Sequence, residues 1–333
     1  MCLRIVSVLT ASLILLQYQQ QLAQPNPHFH LEQLKTGVYA AVAEKGGHAI
    51  CNAGIIDLGD ATIVIDPFMG LDAAKALSDS ATRLTGRKVT HVVNTHYHDD
   101  HVLGNQIFEG AQFISTQQTR ELMLEILPTE LIDAQENAKK RLAELANTDT
   151  TTMSRFEYEE HLMWRGYYST FINNSDSVKL TLPDVTFHDQ MTIKGKNRSL
   201  VLKSLGAGHT GSDLIVFMPQ DSIAFAGDLL FVGHHPWLGD GNPDEWINCL
   251  ESLKMSSVNL IVPGHGPLGS KNDLDTLEEY IRNALEKVDS YVKKKKTPFE
   301  DPELMIPEKY SEWHLSIFYK PNIYSLFRKK EAR

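Results

Sequence analysis

The chain has 333 residues, 42% of them hydrophobic and 22% charged, with 21 Gly and 14 Pro. That composition excludes a disordered, collagenous or coiled-coil chain, and the length suits one large domain or two ordinary ones. A formal net charge of −10 argues against a nucleic-acid partner, because neutralising phosphates needs a basic face.

At the N-terminus, Arg4 precedes an apolar run over 5–16. Such a run is too short to span a bilayer but suits a signal-peptide core, and Ala23 supplies the small residue before a cleavage point. Residues 1–23 therefore read as a signal peptide on an exported chain, periplasmic or secreted, with no stable membrane insertion after cleavage. Cleavage removes Arg4 and no acid, which takes the charge from −10 to −11. It also removes Cys2 and leaves Cys51 and Cys249, which either pair or stay as separate buried thiols.

Apolar, β-branched runs at 38–42 and 49–58 flank Gly46-Gly47 and predict a hairpin. A buried strand over 61–66 ends in Asp-Pro, a helix follows over 71–84, and strands return at 89–94 and 111–115. Helices between strands predict a layered α/β fold. Residues 117–180 break that rhythm. Leu131, Ala138, Leu142 and Leu145 follow a near-heptad on a long polar helix, and an aromatic segment including Trp164, Tyr167 and Tyr168 comes next. This reads either as a helical insertion near the mouth of a site or as a helical hairpin closing the core. Strands resume at 185–193, 199–205, 214–218, 223–226 and 258–262. The main domain is placed at 24–272, with a C-terminal helical extension at 273–333 whose lysines 293–296 read as a solvated helix end.

The chemistry concentrates at Thr95-His96-Tyr97-His98-Asp99-Asp100-His101, an H-x-H-x-D-H run directly after a strand. Imidazole and carboxylate suit Zn, Mn or Fe, and so many ligands in six residues are held more easily by two ions than by one. Further candidates stand at strand ends beside glycine: His209 in Gly-His-Thr-Gly, Asp228 in Gly-Asp, and His265 in Pro-Gly-His-Gly. The stretch 206–211 also matches G-x-G-x-x-G, but the residues after it read as a strand rather than the helix a dinucleotide site requires.

These motifs, in this order and with the Ile65-Asp66 strand end, resemble the metallo-β-lactamase superfamily over about residues 35–270. The resemblance implies a four-layer αββα sandwich with a helical insertion, a C-terminal extension and metals at one edge between two sheets. It implies one ion on His96, His98 and His209, a second on Asp100, His101 and His265, and Asp228 bridging them. Asp66 would orient ligands or loop amides. The expected cofactors are two divalent ions, zinc first and Mn or Fe as alternatives.

The implied activity is hydrolysis of a small carbonyl compound (ester, thioester, lactone or amide) by a hydroxide shared between the ions, with Asp100 orienting it and accepting its proton. Asp228 is similar to the bridging residue of glyoxalase II-type thioesterases and lactonases. Export fits a β-lactamase or a scavenging hydrolase. A metal-dependent oxidoreductase of the same fold is the alternative class, and a binding module that kept its ligands is the third. Tyr97, Trp164, Tyr167, His234, His235 and Trp237 are candidate pocket residues.

Overall fold

The computed structural model describes residues 26–174 and 178–332; the segment read as a signal peptide lies outside the described residues. The first half runs β1 (Phe29–Lys35), β2 (Val38–Ala43), β3 (Ala53–Asp57), β4 (Thr62–Ile65), α1 (Leu71–Thr85), β5 (His91–Val93), a single turn α2 (Asp99–Val102) and β6 (Gln112–Thr116). Three helices follow, α3 (Gln117–Glu125), α4 (Leu127–Ala146) and α5 (Arg155–Asn174). The second half runs β7 (Val185–Phe187), β8 (Gln190–Lys194), β9 (Ser199–Gly206), β10 (Asp213–Met218), β11 (Ile223–Phe231), α6 (Pro243–Met255), β12 (Leu260–His265), α7 (Lys271–Lys294) and α8 (Tyr319–Glu331).

Strands β1 to β7 form one sheet in sequence order, and the second sheet has the order β12-β11-β10-β9-β8. Period-two alternation decides the layers. Val38, Ala40, Ile56, Ile63, Ile65 and Val93 face the second sheet's Leu200, Leu202, Val216, Ile223 and Phe225. Their neighbours Tyr39, Ala41, Ile55, Val64 and Val92 face outward onto Ala73, Ala74, Leu77 and Ala81 of α1. The outer face of the second sheet packs under α6 and α7 through Trp246, Leu250, Leu277 and Ile281. Each fully buried large apolar side chain contributes about 1.5–3 kcal/mol, so both faces of both sheets are strongly specified. The result is the αββα sandwich.

The chain differs from the sequence reading at two strands that matter to the site. The run 185–193 is two strands, one parallel to β6 and one antiparallel to β9. The chain crosses between sheets at the polar His188-Asp189, while the apolar alternation on either side continues and conceals the break. The strand expected at 223–226 continues to Phe231 with every residue buried, through an irregularity at Gly227. An edge strand over Phe29–Lys35, antiparallel to β2, precedes the expected hairpin.

The tail joins the same core as α6 and α7. Leu304, Tyr310, Tyr319, Ile323, Leu326 and Phe327 are buried among Ile247, Leu250 and Ile281. Helices α4 and α5 pack together and reach the main body through Ala138 and Phe171 against Met69 and Leu103. Among the described residues no helix is long and apolar enough to cross a membrane.

Candidate metal centre

Strands β4 and β5 run parallel, as do β11 and β12, and their carboxyl ends meet at one edge of the sandwich. Asp66 follows β4, the 96–101 run follows β5, His209 follows β9, Asp228 lies within β11 and His265 ends β12. His96 and His98 lie on the extended lead-in to α2; Asp100 and His101 are in its turn, where the His101 N–H donates to the His98 carbonyl at 3.1 Å. The His209 loop folds around Asp213, whose carboxylate accepts from Gly208 N (2.9 Å), Thr210 N (3.0 Å) and Thr210 Oγ1 (2.7 Å). The G-x-G-x-x-G match leads into strand β10, as its sequence indicated. Gly227 (φ +51°) lies against Thr95, and a Cβ on Gly264 would stand 1.8 Å from Asp228 Oδ1. Glycine next to each of these ligands is therefore a steric requirement.

All seven candidate ligands converge. His96, His98, His209 and Asp228 offer donor atoms within 4.8 Å of one another, and so do His101, Asp228 and His265. Asp228 belongs to both groups. His209 Nε2 lies 3.2 Å from Asp228 Oδ2, His265 Nε2 3.4 Å from the same oxygen, and His101 Nε2 3.1 Å from Oδ1. Asp100 Oδ2 is 3.3 Å from His265 Nε2 and 3.6 Å from His101 Nε2.

The outer nitrogens fix the ring tautomers. His101 Nδ1 faces Asp66 Oδ2 at 2.9 Å, His98 Nε2 faces Asp240 Oδ2 at 3.1 Å, and His209 Nδ1 faces the Trp237 carbonyl at 3.0 Å. Thr95 Oγ1 donates to Asp66 at 2.7 Å and so accepts from His96 Nδ1 at 3.0 Å. In the neutral rings each outer nitrogen thus carries the proton, and each inner nitrogen presents a lone pair. His98 Nδ1 and His209 Nε2 then face each other as acceptors 3.0 Å apart. The inner nitrogens of His96 and His101 and one oxygen of Asp228 are buried without a hydrogen-bond partner. Donor atoms crowded in this way could hold a cation at each group, and the residues present fit one.

Titration divides the rings: burial lowers His96 and His209, whereas His98 and His101 are raised. Burial opposes charge on these two, but Asp240, Asp100 and Asp228 outweigh it at His98, and Cys51, Asp100, Asp228 and Asp66 do so at His101. Burial, with the His101 charge behind it, lowers the His96 pKa well below the usual imidazole range, and burial takes His209 down to about 3. Burial also opposes charge on His265, but Asp228 and Asp100 outweigh it and raise its pKa to about 9. For Asp228, burial is outweighed by His265, His101 and His209, which hold it ionised.

Several residues that build the centre are not in the motifs. Asp240 orients His98 from 142 positions away, in a Gly-Asp-Gly loop. Asn52 binds the His265 loop, its Nδ2 donating to the Pro263 and Gly266 carbonyls at 3.0 and 2.8 Å and its N–H to Gly264 O at 2.7 Å. Cys51 Sγ donates to the Asp100 carbonyl at 3.0 Å, and Cys249 Sγ donates to that of Leu205. The two thiols are separate and buried. Burial pushes each up to about 12.

Above the centre opens a cavity of about 1180 Å³, lined by Trp164, Tyr167, His234 and Trp237 of the candidate pocket residues. Tyr97 is buried outside that lining, and His235 is taken up by the Tyr280 hydroxyl and the Tyr310 carbonyl. The tail reaches the lining too, through Leu315 and Phe318.

A family model described as the metallo-beta-lactamase superfamily matches residues 46–265. A metallo-beta-lactamase type 2 of Elizabethkingia meningoseptica is 21% identical over 271 residues, covering 77% of this chain and 88% of the relative. One of Bacteroides fragilis is 27% identical over 112 residues, 32% of this chain and 45% of the relative. Among solved structures, a metallo-beta-lactamase from Pontibacter korlensis superposes with TM-score 0.54 at 19% identity, covering 77% of this chain and 99% of the other. A stereoselective inverting sec-alkylsulfatase from Pseudomonas sp. superposes with TM-score 0.66 at 13% identity, covering 90% of this chain and 50% of the other. The fold, the ordered motifs and a family match across the segment that carries all seven converging side chains agree: the chain belongs to the metallo-beta-lactamase superfamily.

Proposed function

We propose that the protein is a dinuclear metal-dependent hydrolase of a small carbonyl compound. The observation that carries this reading is the arrangement of four imidazoles with protonated outer nitrogens and inward lone pairs around Asp228. His96, His98 and His209 would hold one ion, Asp100, His101 and His265 the other, and Asp228 both. The donor set favours zinc, and such ions supply Lewis acidity and acidify water at neutral pH.

The side chains have definite roles in this reading. Asp100, on the cavity wall and close to His265 and His101, would orient the attacking water and accept its proton. Burial would raise its carboxyl pKa, but His101 and His265 hold it below the usual range, so it is ionised and ready to accept. Asp66 and Asp240 keep His101 and His98 turned inward. The aromatic residues above exclude bulk water from the reacting bond.

Esters, thioesters and lactones are the leading substrates, since Asp228 stands at the bridging position. β-Lactam opening is the second reading, favoured by the names of the relatives. The test pairs elemental analysis with turnover of a chromogenic cephalosporin, a homoserine lactone and an acyl-glutathione. Asp100→Ala and His98→Ala are expected to lose bound metal and turnover together. Full activity in metal-free protein would overturn the proposal.

A further inference from the structure

The cavity above the centre has a chemistry of its own. At about 1180 Å³ it exceeds the range of roughly 300–1,000 Å³ of most small-molecule sites. Its wall is a chain of rings joining three distant parts of the sequence. Trp164 of α5 meets Phe318 of the tail edge-on at 5.8 Å, and Phe318 meets Trp237 of the loop after β11 at 5.8 Å. Tyr167 stands 5.8 Å from Trp164 on the same helix. The tail is fixed there by Glu160, whose carboxylate accepts from Leu315 N, Ser316 N and Ser316 Oγ.

The charges on this wall are one-sided. Besides the residues of the centre, it carries six carboxylates, on Glu32, Glu44, Asp99, Asp133, Glu159 and Glu312. Against these stand two cations, Lys45 and Arg155, and both are paired with Glu159. No lining Lys or Arg among the described residues is left to meet an anionic group on a ligand. An anion buried without a partner is costly, whereas apolar area buried against aromatic rings is favourable.

We propose that the substrate is an uncharged ester, thioester or lactone with a long apolar chain or ring system, and that Trp164 and Phe318 set this preference. The inference rests on the hydrolase reading for the scissile bond, but its account of the chain stands on the wall alone. Water adds across the C–O or C–S bond and yields a carboxylic acid with an alcohol or thiol. The acid ionises, and on the described wall it meets no Lys or Arg free to pair with it.

Two measurements on the purified full-length mature protein test this. The first follows tryptophan fluorescence on adding non-hydrolysable methyl ketones of six to twelve carbons. Affinity is expected to rise about fourfold per methylene, the effect of burying one CH₂, and to fall at least tenfold in Trp164→Ala. The second compares kcat/KM for neutral long-chain p-nitrophenyl esters and for esters of equal length ending in a carboxylate. The carboxylate series is expected to be at least tenfold poorer, and Glu312→Lys, an exposed change that preserves the core, is expected to narrow that gap.

A flat ketone series, or equal use of the carboxylate esters, would overturn the inference while leaving hydrolysis in place. A steep ketone series with no ester turned over would support the apolar wall and count against the hydrolase reading. The ketone series in the unsubstituted protein decides the matter even if Trp164→Ala does not fold.

Discussion

Asp66 has a backbone φ of +49°, a conformation few side chains adopt without strain. Its carboxylate accepts from Thr95 N at 2.8 Å and Thr95 Oγ1 at 2.7 Å while facing His101 Nδ1. One acid thereby orients two rings, His101 directly and His96 through Thr95. Asp66→Ala is expected to weaken divalent-metal affinity about 10–100-fold. By leaving the Thr95 amide unpaired, it should also cost about 1–3 kcal/mol of stability. Metal titration and thermal unfolding read the two effects separately, and a variant with unchanged metal affinity would remove the orienting role. Gly264→Ala places a methyl on the Asp228 carboxylate. Elemental analysis of that variant is expected to show loss of metal from the whole centre, and full occupancy would contradict the shared position of Asp228. At this scale the sequence was most readable, because the side chains that converge come as short motifs beside glycines with no room for a Cβ at 227 and 264. Asn52 and Asp240 were not readable, since their partners are 211 to 214 and 142 residues away and no local pattern announces them.

Between elements, the clasp of α5 on the tail decides how the cavity is closed. Burial would raise the Glu160 carboxyl pKa, but His314, Ser316 and the Leu315 and Ser316 amides outweigh it and hold it below the ordinary glutamate range. A carboxyl that ionises more readily folded than unfolded stabilises the fold above its unfolded pKa of about 4.3, and that contribution is lost as pH falls through the lower folded value. Stability is therefore expected to decline below about pH 4.3, and Glu160→Gln should flatten that part of the profile. Differential scanning calorimetry across pH 3 to 7 checks this; an identical acid limb in both proteins would discount the clasp. The insertion was visible in the sequence as a loss of strand periodicity and a run of aromatic residues. The reach of the tail into the cavity was not, because a 3₁₀ turn at Ser316–Phe318 has no periodicity to detect. The strand break at 188–189 was hidden for the opposite reason, an alternation that continues unbroken into the other sheet.

For the molecule as a whole, cations that bind only the folded chain must stabilise it. At a hundred times Kd the gain is about 2.7 kcal/mol, so chelator-treated protein is expected to melt several degrees lower and to recover on adding zinc. An unchanged melting temperature would argue against metal at the crowded acceptors. Truncation before Leu304 removes seven large buried side chains from the core shared with α6 and α7. At about 1.5–3 kcal/mol each, their loss exceeds the stability of a typical domain, and the shortened chain is expected to be insoluble on expression. Export is a further proposal for the whole chain: by N-terminal sequencing, protein recovered outside the cytosol should begin after Ala23, and an intact Met1 on protein from the cytosol would refute it. A layered α/β fold was legible because period-two alternation and strand–helix order both point to it, whereas the αββα arrangement followed from the resemblance that the ordered motifs carry.

The wall of rings and the reacting groups stand on different parts of the fold. The groups that would perform the chemistry stand on strand ends of the sandwich, whereas Trp164 stands on helix α5 and Phe318 on the tail. Exchanging these two rings is thus expected to alter which molecule is accepted while the strand ends keep their reactive groups in place.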